Sequence, residues 1–140
     1  MSKKIKILFP YFLLLISCGG SGSSSGELNQ EEIDQKYAAG KAVYDRSCIS
    51  CHQPDGKGME PVFPPLAGSD YLLEDKTRAI YQVIHGMEGP VVVNNVEYNG
   101  IMPPQQLSNE EVRDVMNYVL NSWGNSGGEV TIEEVEKEAL

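Results

Sequence analysis

Two thiols and an imidazole stand within five consecutive residues, Cys48-Ile49-Ser50-Cys51-His52. At this spacing the two cysteines can form thioether bonds to one porphyrin, and the adjacent histidine can bind its iron. The motif is typical of covalent attachment of a c-type haem. The sequence therefore predicts one covalent haem c, with Cys48 and Cys51 as thioether donors and His52 as an iron ligand.

Two other functions use a Cys-x-x-Cys pair. A structural zinc site needs four ligands, and outside the motif the sequence has one further histidine, His85, and one further cysteine, Cys18. A thioredoxin-like redox pair accompanies an alternating β-α-β pattern, which the distribution of apolar residues does not show. Both alternatives are weaker than haem attachment.

A haem iron held by one histidine needs a sixth ligand, and Met102 is the best candidate. It lies 50 residues after His52 and precedes Pro103 and Pro104. The two prolines restrict the backbone and remove two amide donors, which suits a strap across one haem face. A thioether ligand favours ferrous iron and raises the reduction potential.

The other methionines and the second histidine are weaker candidates for the sixth ligand. Met59 follows His52 too closely to reach the opposite haem face, and Met116 lies on an apolar helical stripe that predicts a core position. Met87, just after a predicted helix end, is a second choice. His85 is placed in the last turn of a helix, where an exposed histidine is favoured by the helix dipole.

The start of the chain is typical of an exported lipoprotein. Three lysines in the first six residues precede a short apolar run, as in a signal peptide. Residues 15–18, Leu-Ile-Ser-Cys, resemble a bacterial lipobox. We therefore predict a signal peptide over 1–17, lipidation of Cys18, a flexible Gly/Ser tether over 18–26, and a location on the periplasmic side of a bacterial membrane.

The charge of the chain is strongly acidic. The full sequence has 11 basic and 20 acidic residues. Without the leader, eight basic and 20 acidic residues remain, a net charge of −12. Such a surface repels nucleic acid and favours partners with basic docking patches.

Capping signals and periodicity predict three main helices. The first begins at Asn29, where Glu32 completes a capping box, and runs into Cys48; the second covers about 75–85. The third begins at Ser108 with Glu111 as its box partner and ends before Gly124. Residues 91–98 predict a hairpin turning at 94–95, and residues 99–101 predict a turn before Met102. The acidic segment 125–140 predicts a solvated tail with a possible short helix from 131.

Several positions together resemble class I cytochromes c over about residues 27–124. Gly40, Tyr44 and Cys48 have the spacing of that family's first helix and haem cysteine, and residues 64–68 and 99–104 resemble its proline segment and methionine loop. The resemblance implies an all-α fold with three main helices around one haem. It also implies that Val115 and Tyr118 pack onto Gly40.

The resemblance further implies two details of function. The Pro64 carbonyl accepts a hydrogen bond from Nδ1 of His52, and the protein is a mono-haem electron carrier of a respiratory chain rather than an enzyme. Two alternatives stay open. The chain can be a fixed subunit of a larger respiratory complex, or a haem sensor or peroxidase with a labile sixth ligand.

Overall fold

A computed structural model of the protein describes residues 28–140. The predicted signal peptide, Cys18 and the Gly/Ser tether lie outside these residues. The described elements, in chain order, are α1 (Gln30–Lys36), α2 (Ala38–Ser47), α3 (Ile49–His52), α4 (Asp70–Glu74), α5 (Lys76–His85), β1 (Met87–Val93), β2 (Val96–Met102), α6 (Asn109–Asn121) and α7 (Ile132–Glu138). The three long helices α2, α5 and α6 correspond to the three that the sequence predicts.

The first helix begins as predicted but is not continuous. Asn29 Oδ1 accepts a hydrogen bond from the Glu32 amide at 3.1 Å, and Glu32 accepts one from the Asn29 amide at 2.9 Å. The helix is interrupted at Tyr37, whose φ of −112° and ψ of 37° lie outside the helical region. α1 and α2 are therefore two segments, and the expectation of one uninterrupted helix is wrong.

α2 crosses α6 at Gly40. A Cβ at this position would lie 2.0 Å from the Asp114 carbonyl oxygen and 2.8 Å from Tyr118 Cβ. The glycine therefore permits an approach of the two helix backbones that no other residue allows. The predicted contact with Tyr118 is confirmed, and the nearest group is the backbone carbonyl of Asp114 rather than the predicted Val115.

The core lies between α6 and the helices packed around it. The buried face of α6 comprises Val112, Val115, Met116, Tyr118, Val119 and Leu120. These positions recur with the helical period of the apolar stripe, so the sequence places this helix correctly. Ser108 and Glu111 form the predicted capping box.

The hairpin is longer than the sequence predicts. β1 and β2 pair antiparallel from Val93↔Val96 out to Met87↔Met102. Asn94 and Asn95, at φ 51° and 64°, form the tight turn that the asparagine pair predicts. Residues 99–101 continue β2 as far as Met102, so the expectation of a turn there is wrong.

The C-terminal segment packs on the domain. Val130 and Val135 are 3% and 0% exposed and belong to the main core, and α7 contacts both α5 and α6. Thr131 and Glu134 cap α7, as the sequence suggests. The interpretation of residues 125–140 as a solvated tail is therefore wrong, because two valines spaced five residues apart bury one side of the segment.

Between residues 28 and 140, no helix combines the length and apolar character that crossing a bilayer requires.

Candidate haem site

The Cys-x-x-Cys-His motif forms one helical turn directly after α2. The Cys48 amide donates to the Tyr44 carbonyl at 2.9 Å, and the His52 amide donates to the Cys48 carbonyl at 3.0 Å. Both cysteines are partly exposed, and neither forms a disulfide with a described residue. Burial raises the pKa of the Cys48 thiol to about 11, so the unmodified thiol is neutral at pH 7.

His52 is held in one orientation and one tautomer. Its Nδ1 lies 3.0 Å from the Pro64 carbonyl oxygen. Because a carbonyl only accepts, Nδ1 carries the proton, and Nε2 is left with a free lone pair. Burial lowers the pKa of His52 and outweighs the opposite effect of the Pro64 hydrogen bond, so the ring is neutral at pH 7. A neutral imidazole with a free Nε2 is the form that binds iron.

The segment that carries Pro64 is tied back to the loop after His52. The Leu66 and Ala67 amides both donate to the Gly56 carbonyl, at 2.7 and 2.9 Å, and the Gly58 amide donates to the His52 carbonyl at 3.0 Å. A Cβ at Gly58 would lie 2.5 Å from the Pro64 carbonyl oxygen. The backbone around the imidazole is thus closed by several short-range bonds.

Two cavities of about 330 and 90 Å³ adjoin the motif. Their shared lining consists of Cys48, His52, Pro64, Met87, Val91 and Met102. The larger volume is in the range of small-molecule and cofactor sites. The smaller cavity continues into the core, where Leu72, Val83 and Val119 line it beside Tyr71 and Gln82. An apolar, partly open space with the motif on its wall fits a large flat macrocycle.

Met102 lies at the end of β2, directly before Pro103 and Pro104. Gly86 packs under this strap, since a Cβ there would lie 2.7 Å from the Met102 carbonyl oxygen and 2.8 Å from Pro104 Cδ. Met87 is the register partner of Met102 across the hairpin, and both line the cavities. The fold therefore brings the first and second candidates for the sixth ligand to the same place.

The remaining candidates are placed less well. Met116 is buried in the core, as predicted, and also lines the smaller cavity. Nε2 of His85 donates to the Glu138 carbonyl at 2.8 Å, and its ring stacks on Tyr81. Met59 is half exposed. Among residues 28–140, no group of three histidine, cysteine or acidic side chains is placed to hold a bare metal ion.

Trp123 supports the site in a way that its sequence position does not indicate. Its Nε1 donates to the Pro54 carbonyl at 3.2 Å, and its ring covers Gly56. It also packs against Tyr44, with ring centroids 5.1 Å apart, while the Tyr44 hydroxyl donates to the Gln53 carbonyl at 2.6 Å. The apolar stripe predicts a core residue here, and Trp123 does pack against the core. The stripe does not indicate that the same side chain also closes the loop after His52.

The fold and the site define a c-type cytochrome. Its α2 and α6 helices cross at Gly40, and a Cys-x-x-Cys-His turn and the Met102 strap lie around an apolar cavity. The sequence matches the cytochrome c family over residues 37–123. The chain belongs to the cytochrome c family of electron carriers, and its cofactor is covalently bound haem c.

Relatives of two kinds are similar to this chain. Cytochrome c-552 of Thermus thermophilus is 35% identical over 94 residues, which cover 64% of this chain and 71% of that protein. The cytochrome c subunit of the quinone-type alcohol dehydrogenase of Gluconobacter oxydans is 31% identical over 71% of this chain, but over only 21% of its own length. The fructose dehydrogenase cytochrome subunit of Gluconobacter japonicus is 27% identical over 73% of this chain and 22% of that subunit.

Proposed function

We propose that the protein is a periplasm-facing carrier that passes single electrons along a respiratory chain. In this proposal Cys48 and Cys51 hold the haem, and His52 and Met102 bind its iron. The observation that carries the proposal is the hydrogen bond from His52 Nδ1 to the Pro64 carbonyl, which leaves Nε2 available beside a cavity that Met102 also lines. When bound, the haem supplies an iron centre that gains and loses one electron.

The chain's own residues keep that centre closed. The Pro64 hydrogen bond makes His52 a better donor and fixes its ring plane. Pro103 and Pro104 restrict the Met102 backbone, and the cavities beside it are lined mostly by apolar side chains. Two protein ligands leave no coordination position for oxygen or peroxide. This supports electron transfer over catalysis or gas sensing.

The ligand assignment is tested by a pair of matched variants, Met102→Leu and Met87→Leu. We expect the weak red-region absorption of methionine–iron bonding in the ferric protein to disappear in Met102→Leu and to persist in Met87→Leu. Carbon monoxide should bind the reduced Met102→Leu variant rapidly and the reduced wild type poorly. Loss of the band in Met87→Leu alone would reassign the ligand, and rapid carbon monoxide binding by the wild type would favour the sensor alternative.

A redox partner is proposed to dock at the mouth of the larger cavity. None of the described residues that line it is charged, and Val62 and Ile101 there are 54% and 75% exposed. The acidic charge of the rest of the chain would attract a partner whose docking patch is ringed by basic groups. Direct contact at the mouth would then be apolar, with the charge acting mainly on the association rate.

This docking site is tested by introducing the same charge at two exposed apolar positions. Ile101→Asp should slow electron exchange with a basic redox protein, whereas Val92→Asp should not, because Val92, 56% exposed, does not line either cavity. Raising the ionic strength should slow the wild type. Equal rates for both variants would place docking elsewhere.

The membrane location is proposed from the sequence alone. Cleavage before Cys18 and its lipidation would tether the domain to a membrane, and haem attachment would follow export. A Cys18→Ser variant should move from the membrane fraction to the soluble periplasmic fraction. An unchanged membrane fraction would contradict the lipid anchor.

The second candidate function is that of a fixed subunit in a larger complex. The relatives named as dehydrogenase cytochrome subunits favour it, although this chain spans only about a fifth of their length. Purification of the native protein from membranes in mild detergent separates the two. A mobile carrier is recovered alone, and a fixed subunit is recovered with stable partners.

A further inference from the structure

Asn125 is a buried polar residue just beyond the region that matches the family. It follows α6 and is only 6% exposed, and the family match ends at residue 123. Its Oδ1 accepts from the Gly68 amide at 2.8 Å, and its Nδ2 donates to the Leu66 carbonyl at 3.0 Å and to the Val119 carbonyl at 2.7 Å. A side-chain amide has two N–H donors, and both are used here.

These bonds connect the end of α6 with the segment that orients the haem ligand. Leu66 and Gly68 lie two and four residues after Pro64, whose carbonyl holds His52. On its other side, this segment is bound to Gly56 through the Leu66 and Ala67 amides. Asn125 is thus a clamp that fixes the Pro64–Gly68 segment to α6.

We propose that Asn125 is a positioning residue for His52, acting through the Pro64–Gly68 backbone. Partners behind a metal-binding histidine set its ring orientation and its strength as a donor. A buried amide that satisfies three backbone groups restricts the motion of the segment, because each lost bond leaves a backbone group unsatisfied. The inference rests on the proposed role of His52 as an axial ligand.

The test compares Asn125→Leu with Asn117→Leu in the haem-loaded protein. Asn117 is a matched control, since its side chain also clamps the C-terminal segment through both the amide and the carbonyl of Val130, at 2.6 and 3.1 Å. It makes no hydrogen bond to residues 64–68. Both variants should lose stability, whereas only Asn125→Leu should alter the surroundings of His52.

The measurement is proton NMR of the ferric protein, with solvent exchange of the His52 Nδ1 proton as the readout. We expect exchange to be about tenfold faster or more in Asn125→Leu, because buried hydrogen bonds are lost, and within about twofold of wild type in Asn117→Leu. The reduction potential should shift in the first variant only. Equal behaviour of the two variants, or unchanged exchange in Asn125→Leu, would overturn the proposal.

Two further measurements keep the test decisive if Asn125→Leu does not yield haem-loaded protein. Asn125→Gln retains donor and acceptor groups but is one methylene longer, and should show a smaller increase in exchange. In the wild type, the Gly68 amide and the His52 Nδ1 proton should be protected to a similar extent, within about threefold once each exchange rate is divided by its intrinsic rate, because one segment protects both. A Gly68 amide that is much less protected would refute the clamp.

The NMR spectra distinguish an error in the His52 ligand from an error in the Asn125 clamp. If His52 does not bind the iron, its strongly shifted NMR resonances are absent already in the wild type. If only the clamp is wrong, those resonances are present and do not respond to Asn125.

Discussion

Replacing Gly40 by alanine tests how closely the two crossed helices approach. The new Cβ would lie 2.0 Å from the Asp114 carbonyl oxygen and 2.8 Å from Tyr118 Cβ, whereas relaxed carbon contacts are roughly 3.5–4.0 Å. The obstacle is the α6 backbone, which cannot rotate away as a side chain can. Overpacking a core costs about 1–3 kcal/mol, and the upper end applies here.

The substitution also has a favourable contribution. Alanine stabilises a helix by about 1 kcal/mol relative to glycine, so the expected net loss is about 2 kcal/mol. The assay is guanidinium unfolding of the haem-loaded protein. Ala42→Gly, at an exposed position of α2, calibrates the helix-propensity effect. If Gly40→Ala is as stable as wild type or more stable, propensity alone governs this position and the close helix approach is wrong.

Three further predictions concern the hairpin and the C-terminal segment. Val135 is fully buried, so Val135→Ala should lower the free energy of unfolding by about 2 kcal/mol. Val92 is exposed, so the control Val92→Ala should change that free energy by less than about 0.5 kcal/mol. Asn95→Gly should stabilise the hairpin by about 0.5 kcal/mol because glycine adopts positive φ more readily; an equally large loss would contradict the observed turn. The Lys76 hydrogen bond and the Thr131 amide lower the pKa of Glu134 from 4.5. The stability that Glu134 contributes is therefore present above about pH 4.5 and is lost as pH falls through the lowered folded pKa. Because the Lys76–Glu134 pair is partly exposed, Glu134→Gln should remove less than about 1 kcal/mol of this acid-sensitive stability. Identical acid unfolding curves for the variant and the wild type would show that the pair contributes nothing.

The sequence predicted helix starts, the hairpin turn and the haem motif correctly, because each depends on only a few consecutive residues. The capping boxes at Asn29 and Ser108 form as expected, because each needs only four consecutive residues. The asparagine pair turns the hairpin for the same reason. The haem motif is also local, and its chemistry follows from residue type and spacing.

Local signals failed where distant segments decide the outcome. The continuation of β2 to Met102 depends on its partner β1, since single strands of this composition do not specify how far pairing extends. The packing of α7 depends on a surface that α5 and α6 form together. An acidic segment with two valines gives little indication of such a surface.

The sequence by itself determined the cofactor and the glycine at which two helices meet, and it predicted Cys48, Cys51, His52 and Met102 as the residues that hold the haem. Only the tertiary structure decided what surrounds them. It brought Met87 beside Met102, placed Trp123 over Gly56, and buried Asn125 against the segment behind His52. The physical reason is that covalent attachment and helix capping act over a few residues, whereas orientation of the imidazole depends on backbone groups that are brought together only when the chain folds.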